Sequence, residues 1–118
     1  MNIVIVDNNP DDLAQLGEMV AEILPGCQIQ SFTDPLLSAK YICNIPVDMV
    51  ILSDVMRPAS GFRLMRVLRK NIPKLPIVML SASGVNEAEA LAAEVNGFLT
   101  NPISTERLSS VIHGALLE

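Results

Sequence analysis

Aromatic residues are scarce: there is no Trp, one Tyr and three Phe in 118 residues. Half the residues are hydrophobic all the same, so the core available to the chain is aliphatic, built from Val, Ile, Leu, Met and Ala. Cysteine is also sparse. Cys27 and Cys43 have no metal-ligand spacing, and His113 is the sole histidine, so a thiolate–imidazole metal site is excluded. The two thiols read as reduced, buried side chains of a cytosolic protein. Basic residues are outnumbered, 8 against 13 acids, for a formal charge of −5. That balance argues against binding a nucleic-acid backbone. No apolar run is long enough to span a membrane. Asp7 interrupts the first apolar stretch too early for a secretory leader. No glycine-rich nucleotide loop is present.

What is there is a regular alternation of two periodicities. Asn2 to Val6 is short, β-branched and continuous, as a buried strand is. Asn9-Pro10-Asp11-Asp12 starts a helix, with a capping side chain, a proline in the first turn and acids at the positive dipole end. Leu13, Leu16, Val20, Ile23 and Leu24 continue it, and Pro25-Gly26 stops it. A strand over Cys27–Phe32, a helix opened by Asp34-Pro35, a strand over Asp48–Ser53 and a helix over Gly61–Asn71 follow. A strand at Ile77–Leu80, an Ala- and Glu-rich helix over Val85–Val95 ended by Asn96-Gly97, a strand at Phe98–Thr100 and a helix capped by Ser104 or Thr105 complete the chain. Five βα units predict one α/β domain over residues 1–118: a doubly wound five-stranded parallel sheet between two helical layers.

Charge is segregated along the chain. Arg57, Arg63, Arg66, Arg69, Lys70 and Lys74 form one basic cluster, which reads as a solvated face or a face for an acidic partner. His113 reads as a surface residue.

Two apolar strands run straight into a carboxylate, Val6 into Asp7 and Ser53 into Asp54. In an open α/β sheet ligands bind outside the carboxyl ends of the strands. The same ends carry Asn8, Ser81 and Asn101. Paired strand-end acids suit a divalent cation or a phosphoryl group.

Four segments in order carry a family resemblance: Ile5-Val6-Asp7-Asn8-Asn9-Pro10, Ser53-Asp54-Val55-Met56-Arg57-Pro58, Pro76 to Ala82, and Phe98-Leu99-Thr100-Asn101-Pro102. Together they resemble the receiver domain of two-component response regulators, with a flavodoxin-like (βα)5 fold, over nearly the whole chain. The resemblance implies a phosphoryl group accepted on Asp54 from a sensor histidine kinase, a phosphotransfer protein or a small phosphodonor. It implies Mg²⁺ held by Asp7, Asn8, Asp54 and the Met56 carbonyl. Ser81 takes the place of the switch hydroxyl and Phe98 that of the switch aromatic. Asn101 stands where the family has lysine. It further implies a cytoplasmic signalling protein with no turnover activity, and a homodimer face on the fourth helix, fifth strand and fifth helix, with Glu87, Glu89 and Arg107 as ionic partners.

Three departures set this chain apart. Asn8 replaces a carboxylate, so Mg²⁺ is expected to bind weakly. Asn101 removes a cation. Pro58-Ala59-Ser60-Gly61 is one residue short, so counting from Asp48 or Gly61 places Ser53, not Asp54, at the acceptor position, whereas counting from Val55, Met56 and Pro58 selects Asp54. A degenerate receiver serving as an interaction or dimerisation module is the alternative function. A flavodoxin-type cofactor site is disfavoured by the acidic first loop and Pro10, and a haloacid-dehalogenase-like phosphatase by Asn9 in place of a second acid. Whether the chain stands alone or belongs to a longer protein stays open.

Overall fold

A computed structural model describes residues 1–82, 88, 92 and 95–117. Strands β1 (Asn2–Val6), β2 (Gln28–Phe32), β3 (Met49–Ser53), β4 (Ile77–Ser81) and β5 (Gly97–Thr100) alternate with helices α1 (Pro10–Ile23), α2 (Pro35–Asn44), α3 (Gly61–Asn71) and α4 (Thr105–Leu117). The helix expected over Val85–Val95 falls mostly outside the described residues. All strand pairings are parallel, in the order β2-β1-β3-β4-β5. The chain leaves β1 toward β2 on one side and reaches β3 on the other. The cleft between the β1 and β3 ends is thus the topological switch point.

Alternation along β1, β3 and β4 feeds two aliphatic cores, one per sheet face. Val4, Val6, Leu52 and Met79 pack with Phe62, Met65 and Leu68 of α3. Ile3, Ile5, Ile51 and Val78 pack with Leu13, Leu16 and Val20 of α1 and with Leu108 and Ile112 of α4. Central strands buried on both faces need continuous apolar sequence, which is why β1, β3 and β4 lack the polar alternation of an edge. β2 is such an edge and stays partly exposed.

Local signals set the helix starts. The Asn9 side chain accepts from Asp11 N–H at 2.9 Å and Asp12 N–H at 3.1 Å. The Ser60 hydroxyl accepts from Arg63 N–H at 3.2 Å, and Ser104 does the same for Arg107 at 3.2 Å.

Several expectations need correcting. Cys43 is exposed and Cys27 half-buried, because Cys43 falls on the outer side of α2 next to inward-facing Ile42. β5 begins at Gly97, paired with Val78, one residue before the expected start at Phe98. Arg69 is no surface charge: its guanidinium donates to the carbonyls of Pro73 and Leu75 and to Asn96 Oδ1. The basic exposed face of α3 is therefore Arg63, Arg66 and Lys70. Arg107 braces the loop before α4 through the carbonyls of Thr100 (3.2 Å) and Pro102 (2.8 Å), while Glu87 and Glu89 lie outside the described residues. His113 is exposed, with Nδ1 2.8 Å from the Ser109 carbonyl oxygen. No helix among the described residues is long and apolar enough to cross a membrane.

Candidate functional site

The β3–α3 connection sets the floor of the site. Asp54 N–H donates to the Leu80 carbonyl at 3.0 Å, extending the β3–β4 ladder by one residue. The Asp54 carbonyl accepts from Gly61 N–H at 2.8 Å, which closes the loop onto the start of α3. A Cβ on Gly61 would stand 2.0 Å from the Ser53 carbonyl oxygen and 2.9 Å from Asp54 Cα. Only glycine permits this approach, so the short loop and Gly61 are one device. Asp54 is 4% exposed, and its Oδ1 accepts from Val55 N–H at 2.8 Å.

A cavity of about 700 Å³ opens above the strand ends, lined by Asp7, Asp12, Ser53, Asp54, Ser81 and Asn101 among others, with Leu16, Met19 and Ile103 on its apolar side. Ser81 is 2% exposed. Asn101 N–H donates to the Ser81 carbonyl at 3.0 Å, which fixes the β5 end beside the β4 end. The cavity lining carries three carboxylates and no Lys or Arg among the described residues.

Asp7 is held at both oxygens. Oδ1 accepts from Asn9 N–H at 2.9 Å, and Oδ2 accepts from the Ser53 hydroxyl at 3.3 Å. Burial raises the Asp7 pKa above 3.8 and Asp12 adds to this, while the Asn9 and Ser53 hydrogen bonds act in the opposite direction. The β1–β3 register sets Val6 beside Leu52, so Asp7 and Ser53 follow at the same level.

Not every expected residue reaches the cavity. Asn8 is absent from its lining. Its amide donates to the Thr33 carbonyl (2.7 Å) and the Arg57 carbonyl (2.9 Å), and its Oδ1 accepts from Arg57 N–H at 2.6 Å. The Met56 side chain is 5% exposed and packs in the core on the α3 side. Phe98 is half-buried against that same core, away from the cavity. Sequence reasoning missed Asp12, Gln15, Met19 and Ile103 as lining residues. The first three sit on the α1 face that looks back over the strand ends, a placement only helix packing creates.

Among the described residues no group of three or more His, Cys, Asp or Glu side chains converges as a metal cluster. Asp7 and Asp54, the strand-end pair among the three lining carboxylates, border one cavity, and Mg²⁺ commonly uses one or two carboxylates with waters completing its shell. The donor set therefore fits Mg²⁺ in reduced form, without Asn8.

Comparison with known proteins gives a consistent result. A family model described as "Response regulator receiver domain" matches residues 3–113. A probable cyclic di-GMP phosphodiesterase of Vibrio cholerae is 25% identical over 94% of this chain and 25% of its own length. The phosphoglycerate transport system transcriptional regulatory protein PgtA of Salmonella typhimurium is 25% identical over 98% of this chain and 28% of its own length. The chain thus spans about a quarter of the length of the curated relatives it matches. Among solved structures, the response regulator TrrA of Thermotoga maritima in complex with Mg²⁺–BeF superposes with a TM-score of 0.89 at 21% identity, covering 98% of both chains. The receiver domain of a sensor histidine kinase from Pseudomonas aeruginosa, with magnesium in its active-site cleft, gives 0.88 at 18% identity over 99% of this chain and 98% of that one.

Proposed function

The chain belongs to the response regulator receiver family, and from that premise we propose that Asp54 is the phosphoacceptor of this receiver, with Mg²⁺ held weakly by Asp7, Asp54 and the Met56 carbonyl. One observation carries the reading. Asp54 is a carboxylate buried at the C-terminal end of β3 that lines the same cavity as Asp7, Ser81 and Asn101. A bound cation would screen the repulsion between the Asp54 carboxylate and an anionic donor. A carboxylate oxygen of Asp54 attacks phosphorus as the bond to the leaving group breaks: the P–O bond of acetyl phosphate, releasing acetate, or the P–N bond of a phosphohistidine, releasing uncharged histidine, the leaving atom keeping the electron pair. Ser81 is the hydroxyl placed to meet a phosphoryl oxygen, coupling the acceptor to the loop after β4. Asn101 offers an amide where a cation would neutralise charge, so transfer is slow. The domain modifies itself and turns over no external substrate. Its physiological donor is a sensor histidine kinase or phosphotransfer protein.

Ser53 is the competing acceptor, because its hydroxyl already contacts Asp7 at 3.3 Å inside the same cavity. The test is intact mass after incubation with acetyl phosphate and Mg²⁺. One added phosphate that hydroxylamine removes and that is lost in Asp54→Asn is the expected result, since an acyl phosphate is labile to that nucleophile. A hydroxylamine-stable adduct that survives Asp54→Asn and disappears in Ser53→Ala moves the acceptor to Ser53.

A further inference from the structure

We infer that Asn8 is a positioning residue that clamps the backbone after β3, and that a carboxylate at this position would weaken the site, not complete it. Charge counting alone gives the opposite answer, that Asn8→Asp restores a missing metal ligand. The hydrogen bonds decide between them. Both side-chain N–H donors and the side-chain oxygen of Asn8 are directed at main chain. Its two N–H donors reach the carbonyls of Thr33 at 2.7 Å and Arg57 at 2.9 Å, and its oxygen receives Arg57 N–H at 2.6 Å. Thr33 follows β2 and Arg57 follows β3, so one amide ties the loops after β1, β2 and β3 together. It engages both the main-chain N–H and the main-chain carbonyl of Arg57, which an amide can do and a carboxylate cannot, because a carboxylate only accepts. Arg57 lies three residues beyond Asp54 in the shortened loop. That segment lacks helix or strand pairing of its own, and Gly61 closes its far end onto Asp54. The Asn8 amide holds the near end.

With aspartate at position 8, two donors vanish and a charged oxygen faces the Thr33 and Arg57 carbonyls. The loop beyond Asp54 then leaves its seat, and with it the Met56 carbonyl and the Val55 N–H that holds Asp54 Oδ1. The consequence for labelling rests on Asp54 being the acceptor; the clamp itself does not.

The test has two arms. Amide hydrogen exchange followed by NMR reads the clamp directly. Arg57 is exposed, so its N–H should exchange freely unless Asn8 holds it. Protection of Arg57 N–H in the wild-type protein, lost in Asn8→Ala and Asn8→Asp while the β3 and β4 amides stay protected, is the expected result. Free exchange of Arg57 N–H in the wild type overturns the clamp, and this measurement needs no variant to fold. In the second arm, acetyl phosphate labelling with Mg²⁺ should slow about tenfold or more in Asn8→Asp, since small displacements of a reacting group are costly. The half-saturating Mg²⁺ concentration should not fall. Faster labelling with tighter Mg²⁺ in Asn8→Asp would make position 8 a ligand position and overturn the inference. Should Asp54 prove not to be the acceptor, the label in Asp54→Asn reports that separately and the exchange arm still judges the clamp.

Discussion

Asp7 shows how a single residue trades stability for a site. Its carboxyl is partly withdrawn from water, and burial raises its pKa above 3.8, with Asp12 adding to the effect. A raised acid binds more protons folded than unfolded, so the fold loses stability as pH rises through the folded pKa. The penalty is absent below the ordinary value and complete above the folded one. Asp7→Asn should therefore raise Tm at pH 7, because Asn keeps the acceptor for Asn9 N–H and sheds the charge. Thermal melts from pH 7 downward should show the two proteins converging as Asp7 becomes protonated. A gap unchanged by pH would mean that the charge is not what destabilises. Asn101 is the complementary case. Its side chain borders a cavity with three carboxylates and no cation among the described lining residues. Asn101→Lys supplies a charge-assisted donor worth about 1.5–3 kcal/mol. Mass spectrometry with acetyl phosphate should show labelling faster by about tenfold or more.

At the scale of elements, the site depends on how β3 hands over to α3. Gly61 is needed for space, since a side chain there would meet the main chain of Ser53 and Asp54. Gly61→Ala should cost about 1–3 kcal/mol, the range for forced overpacking, and should slow Asp54 labelling, because backbone and not a flexible side chain must move. Urea unfolding and labelling kinetics check both effects. At the other end of α3, Arg69 donates to two carbonyls and to Asn96 Oδ1, and the same Asn96 oxygen accepts from Ile77 N–H at 2.9 Å. The basic cluster of the sequence therefore divides into a structural arginine and an exposed face of Arg63, Arg66 and Lys70.

For the whole molecule, two aliphatic cores on opposite faces grip one parallel sheet, and the switch point follows from the strand order. A ligand that binds only the folded state stabilises it by mass action. At a Mg²⁺ concentration equal to its Kd the gain is about 0.4 kcal/mol, or about 1–2 °C in Tm for a domain of this size. Calorimetry should find such a small, chelator-reversible rise, abolished in Asp54→Asn. A large rise at low Mg²⁺ would contradict weak binding by a reduced donor set.

The sequence by itself determined the sheet, the helix starts and the family. Each depends on local chemistry: continuous β-branched runs, capping side chains at Asn9, Ser104 and the Asp34-Pro35 start, and ordered strand-end motifs. It also brought Asp7, Ser53, Asp54, Ser81 and Asn101 to the same edge, because a parallel sheet puts every strand end on one side. Only the tertiary structure decided what each side chain does there. The family resemblance makes Asn8 a ligand position, yet Thr33 and Arg57 take up its hydrogen-bonding groups from loops 25 and 49 residues away. Arg69 reads as a surface charge until Asn96 meets it from 27 residues away, and Cys43 reads as buried until α2 turns it outward. Periodicity and motif report on neighbours along the chain. Which distant carbonyl or amide a polar group meets is fixed when the layers pack.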